Sequence, residues 1–361
     1  MNLNVTDKSA SNAYLPSDIE AIVSRLADFI PCFAGKTVVI AGAKGFLGRY
    51  FIEVFKKMNE SCSPPVTVIG LDNFVSSGAL GTNFDDDIGD WWSFHEIDLS
   101  SLDSSLEFVK SADFVIHAAG IASPFYYRAM PLKTLDVAIN GSRTLLDLAL
   151  KHSARYTFFS SSEIYGDPDP KKVPIEEDYR GNVSTLGPRA CYDESKRVGE
   201  TLCYIYEQSF NVHTNIIRPF NVYGPGMQAT DYRVMPNFAS EIQKGNPLNV
   251  YGSGGQTRTF CYIEDAMVGF FMVIASGMVG EAYNIGNDIP EITIADLAEM
   301  MAGVDGKGLK TQITEYPDTY PGDEPERRCP DLNKAKALGY TPSVELEEGV
   351  RRFLSWSAVN F

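Results

Sequence analysis

The chain has 361 residues, 44% of them hydrophobic and 22% charged, and a formal net charge of −16. That length and apolar content suit one large core or two interleaved ones. The acidic balance argues against nucleic acid or an anionic membrane as a partner, since both require a positive surface field. No run approaches the roughly 20 apolar residues of a membrane-spanning helix. The six cysteines and four histidines are scattered without metal-ligand spacing, so the expectation is reduced thiols in a cytoplasmic protein and no metal site.

Residues 1 to about 14 are polar and have neither the basic start nor the apolar run of a secretory signal. Ile19, Ile22, Val23, Leu26 and Phe29 then recur at helical spacing behind Pro16 and Ser17, which predicts an amphipathic helix over 17–29. From Lys36 onward, short β-branched runs alternate with helical stretches. Strands are predicted over 37–41, 66–71, 114–117, 156–159 and 214–217, and helices over about 46–58, 131–151 and 190–208. This alternation implies right-handed βαβ crossovers and an α/β fold whose doubly wound parallel sheet is covered on both faces, of Rossmann type. Beyond Pro219 the segments 223–259 and 315–330 read as loop-rich, whereas 293–301 and 344–356 read as helices. The expected organisation is an N-terminal extension (1–34), a dinucleotide-binding domain (35–218) and a smaller, mainly substrate-binding lobe (219–361) interleaved with the sheet.

Three signatures carry chemistry. Gly42, Gly45 and Gly48 follow the first strand and open the next helix, the context in which such glycines hold a dinucleotide. Gly42 permits the tight turn, Gly45 lets backbone approach a pyrophosphate, and Gly48 allows close helix–sheet packing. Asp72 ends the next strand, where a carboxylate accepts ribose hydroxyls and repels a 2′-phosphate, which favours NAD over NADP. Asp98 and Leu99 are placed to contact adenine. Tyr192 and Lys196 lie four apart on one helix face, so the ammonium is expected to lower the phenol's pKa and let Tyr192 exchange a proton near neutral pH. Between them, Ser160, Ser161, Ser162 and Glu163 leave a strand end, where a hydroxyl can bond the reacting oxygen and a carboxylate can serve an adjacent carbon.

At these residues the chain resembles the extended short-chain dehydrogenase/reductase superfamily, and within it the UDP-glucuronate decarboxylases. The likeness runs from about residue 36 to 356 and rests on Ser162-Glu163-Ile164-Tyr165-Gly166, Gly187-Pro188-Arg189-Ala190-Cys191-Tyr192-Asp193-Glu194, Arg218-Pro219-Phe220-Asn221-Val222-Tyr223-Gly224-Pro225 and Gln256-Thr257-Arg258-Thr259-Phe260, together with Ala122-Ser123-Pro124 and Pro131-Leu132-Lys133-Thr134. The resemblance implies that a sugar 4-hydroxyl is oxidised by NAD, that the carboxylate on C5 leaves as carbon dioxide, and that the retained NADH then reduces C4 again. It casts Ser161, Glu163, Tyr192 and Lys196 as catalytic, with Glu163 an acid/base or an orienting carboxylate. Phe46, Leu47, Asn73, Ala118, Ala119 and Val222 join the expected cofactor contacts. Ser123, Tyr127 and Lys133 are expected at the sugar, and Asn221, Arg233, Tyr251, Arg258 and Arg328 at the nucleotide diphosphate, where a planar guanidinium suits phosphate oxygens.

The implied partners are a nucleotide sugar, with UDP favoured, and a second copy of the chain, paired through the helices over 131–151 and 190–208 in a four-helix interface. Related 4,6-dehydratases carry an aspartate before the glutamate, and this chain has Ser162, which disfavours loss of water from C6. Their helix asparagine is replaced by Ala138, with Asn140 nearby. The acidic, aromatic segment 85–92 has no assigned role. A nucleotide-sugar 4-epimerase or 4,6-dehydratase is the alternative enzyme. A non-catalytic NAD-binding scaffold is the alternative of another kind, and the presence of both Tyr192 and Lys196 weighs against it.

Overall fold

A computed structural model describes residues 13–78, 80, 88–101, 105–316 and 325–361. The N-terminal helix α1 (Pro16–Arg25) is four residues shorter at its end than its apolar spacing suggests, because Leu26–Phe29 continues as turns. β1 (Thr37–Ala41) leads through the glycine turn into α2 (Phe46–Asn59), followed by β2 (Thr67–Asp72), β3 (Trp92–Glu96) and β4 (Phe114–His117). Next come α3 (Pro124–Ala129), α4 (Pro131–Asp136), a π turn (Val137–Gly141) and α5 (Ser142–His152). The single helix predicted over 131–151 is therefore interrupted by a π turn, a feature common at functional sites.

β5 (Arg155–Phe159), α6 (Ala190–Phe210) and β6 (Thr214–Pro219) complete the part of the sheet expected from sequence. A seventh strand comes from the C-terminal part of the chain: β7 (Val222–Tyr223), α7 (Val234–Lys244), β8 (Leu248–Tyr251), β9 (Thr257–Arg258), β10 (Cys261–Tyr262) and α8 (Ile263–Ser276) precede β11 (Glu281–Ile285). Among the described residues the main sheet runs β11-β6-β5-β4-β1-β2-β3, every neighbouring pair parallel. Its carboxyl ends therefore open on one edge, where ligands of such sheets bind. The chain ends with β12 (Ile292–Thr293), α9 (Ile294–Asp305), β13 (Thr311–Thr314), β14 (Arg327–Arg328), α10 (Asn333–Lys336) and α11 (Leu346–Asn360).

Among the described residues, the short helices α3 and α10 and two longer ones, α7 and α8, are absent from the sequence-based expectation. α7 falls inside the segment read as loop-rich, with Pro236 near its start, where a missing amide costs nothing. α8 is buried over nearly its whole length, from Ile263 to Ile274, and so has no polar stripe to reveal a helical period.

α1 docks on α2 and α8, burying Ile19, Ile22 and Leu26. The same junction is tied by charge. Asp18 accepts from Tyr262 Oη at 2.7 Å and faces Arg352 at 3.2 Å, while Arg25 lies 2.6 Å from Asp265. α1 is thus part of the core, not an appendage. Ile22 is 0% exposed; Ile22→Ala is expected to lower unfolding stability by about 2–5 kcal/mol, measured as a shift in the urea midpoint at constant slope.

Candidate active site

The glycine turn is built by close approach of three backbones. Gly42 has φ +84°, and a Cβ there would lie 2.7 Å from Ala119 N and 2.8 Å from Ala118 O at the end of β4. A Cβ on Gly48 would run into the Gly42 carbonyl. With side chains excluded, the start of α2 faces a groove lined by Gly42, Gly45, Asp72, Asn73, Asp98, Leu99, Ala118 and Ala119. Asp72 is locked over it: Oδ2 accepts from Lys44 N at 2.8 Å and Oδ1 from Phe74 N at 2.7 Å. Phe46 and Leu47 form the first turn of α2. Val222, expected along this groove, lies instead on β7 in the main apolar core.

Lys133 is also displaced from its expected place at the sugar. It lines the same groove and pairs with Asp98 at 2.8 Å, so the adenine-contact candidate and the sugar-contact candidate neutralise one another. Burial would raise the Asp98 pKa, but Lys133 and the Ser100 hydroxyl and amide outweigh it and bring it to about 2. Asn140 donates to the Ser100 carbonyl at 2.9 Å, and Ala138 is buried in the π turn, so no asparagine side chain stands at that helix position.

Tyr192 and Lys196 lie in the first two turns of α6, both buried. Lys196 Nζ donates to the Phe159 carbonyl at 2.8 Å and sits 5.7 Å from the centroid of the Tyr192 ring. Desolvation brings the ammonium down to about 8. The expectation of a depressed tyrosine pKa is reversed. Burial pushes the Tyr192 phenol up to about 12, against the hydrogen-bonding influence of Ser161, because removing a phenolate from water costs more than a partly desolvated lysine returns. Tyr127 stacks on Tyr192 with centroids 5.3 Å apart. The hydroxyls of Tyr127, Ser123 and Ser160 are buried without a hydrogen-bond partner among the described residues.

Glu163 stands on a 3₁₀ turn (Ser162–Tyr165) that leaves β5, and Ser161 Oγ caps that turn by accepting from Glu163 N at 3.2 Å. The turn is anchored by Tyr165, which donates to Asn284 at 2.7 Å and accepts from Arg218 at 2.7 Å. The Glu163 carboxylate is gripped by Arg189, just ahead of α6, and by both terminal nitrogens of Arg328 on β14, one at 2.8 Å. Burial would raise its pKa, but Arg189 and then Arg328 hold it at about 2. A carboxylate in this grip can orient the two guanidiniums.

The remaining candidates spread over the second lobe. Arg258 on β9 donates to the Thr257 carbonyl at 2.8 Å and acts electrostatically on Glu163. Asn221 takes a left-handed φ of +43° and donates to the Thr259 carbonyl at 2.8 Å. Arg233 pairs with Asp231 while its charge also reaches Tyr192. Tyr251 lies on β8 against Tyr316, 6.0 Å between centroids. Arg189 and Asp193 were not among the candidates. Both lie in the stretch that carries Tyr192, four apart, but nothing in the spacing says that Arg189 turns towards Glu163. Among the described residues, no group of three His, Cys, Asp or Glu side chains is placed to hold a metal ion.

A parallel sheet with a glycine turn at one strand end, an aspartate at the end of the next strand, and a buried tyrosine–lysine pair defines an α/β enzyme of the dinucleotide-binding class. A profile of the NAD dependent epimerase/dehydratase family matches residues 38–286, and the chain belongs to that family. It is 36% identical to UDP-glucuronic acid decarboxylase 1 of Danio rerio over 322 residues, 89% of this chain and 72% of that protein. It is 34% identical to UDP-glucuronic acid decarboxylase 5 of Arabidopsis thaliana over 320 residues, 88% of each. In fold it is similar to a UDP-glucuronic acid 4-epimerase of Bacillus cereus, with a TM-score of 0.76 and 24% identity over 90% of this chain and all of that one. It is also similar to a dTDP-glucose 4,6-dehydratase of Streptomyces venezuelae, with a TM-score of 0.75 and 22% identity over 89% and 96% of the two chains. NAD is the cofactor of the family, and the side-chain-free cradle at Gly42 and Gly48 fits it.

Because a methyl group on Gly48 would overlap the Gly42 carbonyl, Gly48→Ala is expected to weaken NAD binding at least about tenfold, equivalent to about 1.4 kcal/mol. Fluorescence titration measures this, with circular dichroism checking that the fold is kept.

Proposed function

We propose that the chain is a UDP-glucuronate decarboxylase that retains NAD through its cycle. One observation carries the reading: the carboxylate beside the tyrosine is held ionised by Arg189 and Arg328. The sugar end therefore offers guanidinium charge to a carboxylate on C5, and Glu163 is no acid for expelling a 6-hydroxyl. Ser162, where related dehydratases carry an aspartate, supplies no acid either. The relatives at 34–36% identity support the same reading.

Bound NAD supplies the hydride acceptor and donor at C4 and, when oxidised, a positive ring that favours phenolate. Tyr192 takes the proton of the 4-hydroxyl, with the Ser161 hydroxyl bonded to the same oxygen and Lys196 as the buried cation behind the ring. Once C4 is a ketone, the bond from C5 to its carboxylate breaks. Its electron pair enters the ketone as an enolate, whose oxygen Ser161 and Tyr192 stabilise as hydrogen-bond donors. C5 then takes a proton from water, and Tyr192 returns its own to the C4 oxygen as C4 is reduced again. Glu163 remains ionised and fixes the two arginines. Ser123 and Tyr127 contact the sugar, Asn221, Arg233 and Arg258 the nucleotide diphosphate, and Asp72 the ribose of NAD.

The working form is a homodimer. Tyr204, Ile205 and Phe210 on α6 and Leu132 on α4 are exposed apolar side chains on helices that would pair in a four-helix interface. No helix among the described residues is long and apolar enough to cross a membrane. All six cysteines are free thiols, which suits the reducing cytoplasm.

Incubation with UDP-glucuronate is expected to release carbon dioxide and a UDP-pentose. Tyr192→Phe should cut that turnover by about 10²–10⁴-fold while leaving NAD bound. Conversion of dTDP-glucose with no action on UDP-glucuronate would sink the assignment, and a C4 epimer formed without carbon dioxide would replace it with epimerisation.

A further inference from the structure

Glu163 is not the only carboxyl at the sugar end. Asp193, next to Tyr192 on α6, is buried, its Oδ1 has no hydrogen-bond partner among the described residues, and its Oδ2 lies 3.9 Å from Arg189 Nε. The charged groups that act on it are Glu163 from the turn after β5, Arg328 from β14, and Arg189 and Glu194 from its own stretch of chain. Arg258 acts on Glu163 at the centre of the same cluster, and the phenols of Tyr127 and Tyr192 complete the wall. Two carboxyls thus face one pair of arginines on unequal terms. Glu163 takes the hydrogen bonds from both, whereas Asp193 stands at 3.9 Å from one.

The consequence is a split in titration. Glu163 is held at about 2, while burial, and after it the charge of Glu163, pushes Asp193 up to about 7. Environments that drive two neighbouring acids apart in this way separate their roles. Below about pH 7 Asp193 is neutral. Above it, a second negative charge appears beside Glu163, within the cluster that would receive a substrate carboxylate.

We propose that Asp193 is a specificity-determining residue: protonated, it leaves the Glu163–Arg189–Arg328 cluster able to accept the carboxylate of an acidic sugar, and ionised, it repels that carboxylate. The inference rests on the proposed function for the identity of the acidic sugar. It assigns to Asp193 no contact with the reacting carbon. By linkage, the effect is reciprocal, so a carboxylate that favours the protonated residue must draw a proton onto it when it binds.

The test is the pH dependence of KM for UDP-glucuronate in the NAD-loaded enzyme between about pH 6 and about pH 9, with the affinity for UDP-glucose, whose sugar is uncharged, as the control. KM should be flat below about pH 7 and rise by up to about tenfold per pH unit above it, with no matching rise for UDP-glucose. Asp193→Asn, which holds the neutral shape, should remove the rise. Calorimetry of UDP-glucuronate binding to the NAD-loaded Tyr192→Phe protein, which does not turn the substrate over, should find close to one proton taken up near pH 8 in buffers of different ionisation enthalpy. The proposal is overturned if Asp193→Asn keeps the rise, if UDP-glucose shows the same rise, or if binding takes up no proton. The proton count needs no turnover, so it judges Asp193 separately from the decarboxylation itself.

Discussion

The carboxylate of Glu163 is where three distant parts of the chain are held together. Arg189 lies 26 residues from it in sequence and Arg328 lies 165 away, yet both guanidiniums close on this carboxylate, Arg328 on both oxygens and Arg189 on one of them. Taking such charges out of water is costly, and the cost is repaid only where geometry is good and the remaining lone pairs are used. Here the contact joins the edge of the main sheet, the start of α6 and β14 of the second lobe. The position of Tyr192, three residues beyond Arg189, follows from that junction.

The C-terminal part of the chain is joined to the rest elsewhere as well. The seventh strand and α8 come from the C-terminal part of the chain and finish the sheet and the layer over it, so the substrate side is not a body apart. Arg49, buried in α2, donates to the carbonyls of Lys44 and Gly226 at 2.6 and 2.7 Å and so ties the cofactor turn to the loop after β7. α1 fastens the back of the same assembly through Asp18, Tyr262 and Arg352. The glycine turn and the loop after β7 thus share one buried guanidinium.

The site is arranged as a gradient of charge. At the cofactor end, Asp72 is satisfied by backbone amides and Asp98 by Lys133, so both carboxylates are fixed before any ligand arrives. In the middle, the Tyr192 phenol and the Lys196 ammonium are both penalised by burial, which drives each towards neutrality. At the sugar end, arginine charge gathers around Glu163 and Asp193. Burial decides the middle and Asp193, whereas ion pairing and hydrogen bonds decide Asp98 and Glu163. For that reason the spacing of Tyr192 and Lys196 alone misjudged the direction of the tyrosine's shift.

Local patterns were enough for the parts of this protein that local physics governs. Alternating β-branched runs and helical periods marked β1, β2, β4, β5 and β6, the glycine turn, the helix bearing Tyr192 and Lys196, and the serine–glutamate strand end, because each is determined by neighbours a few residues away. The acidic run at 85–87 lies outside the described residues, and its role stays unassigned. Tertiary structure alone decided the rest: that α8 is a helix although it is apolar all round, that Lys133 turns to Asp98, that Val222 goes into the core, and that Arg189 and Arg328 converge on Glu163 and leave Asp193 beside them. Those outcomes depend on burial and on partners as many as 165 residues away. Desolvation and ion pairing are properties of a position in space, which periodicity along the chain does not encode.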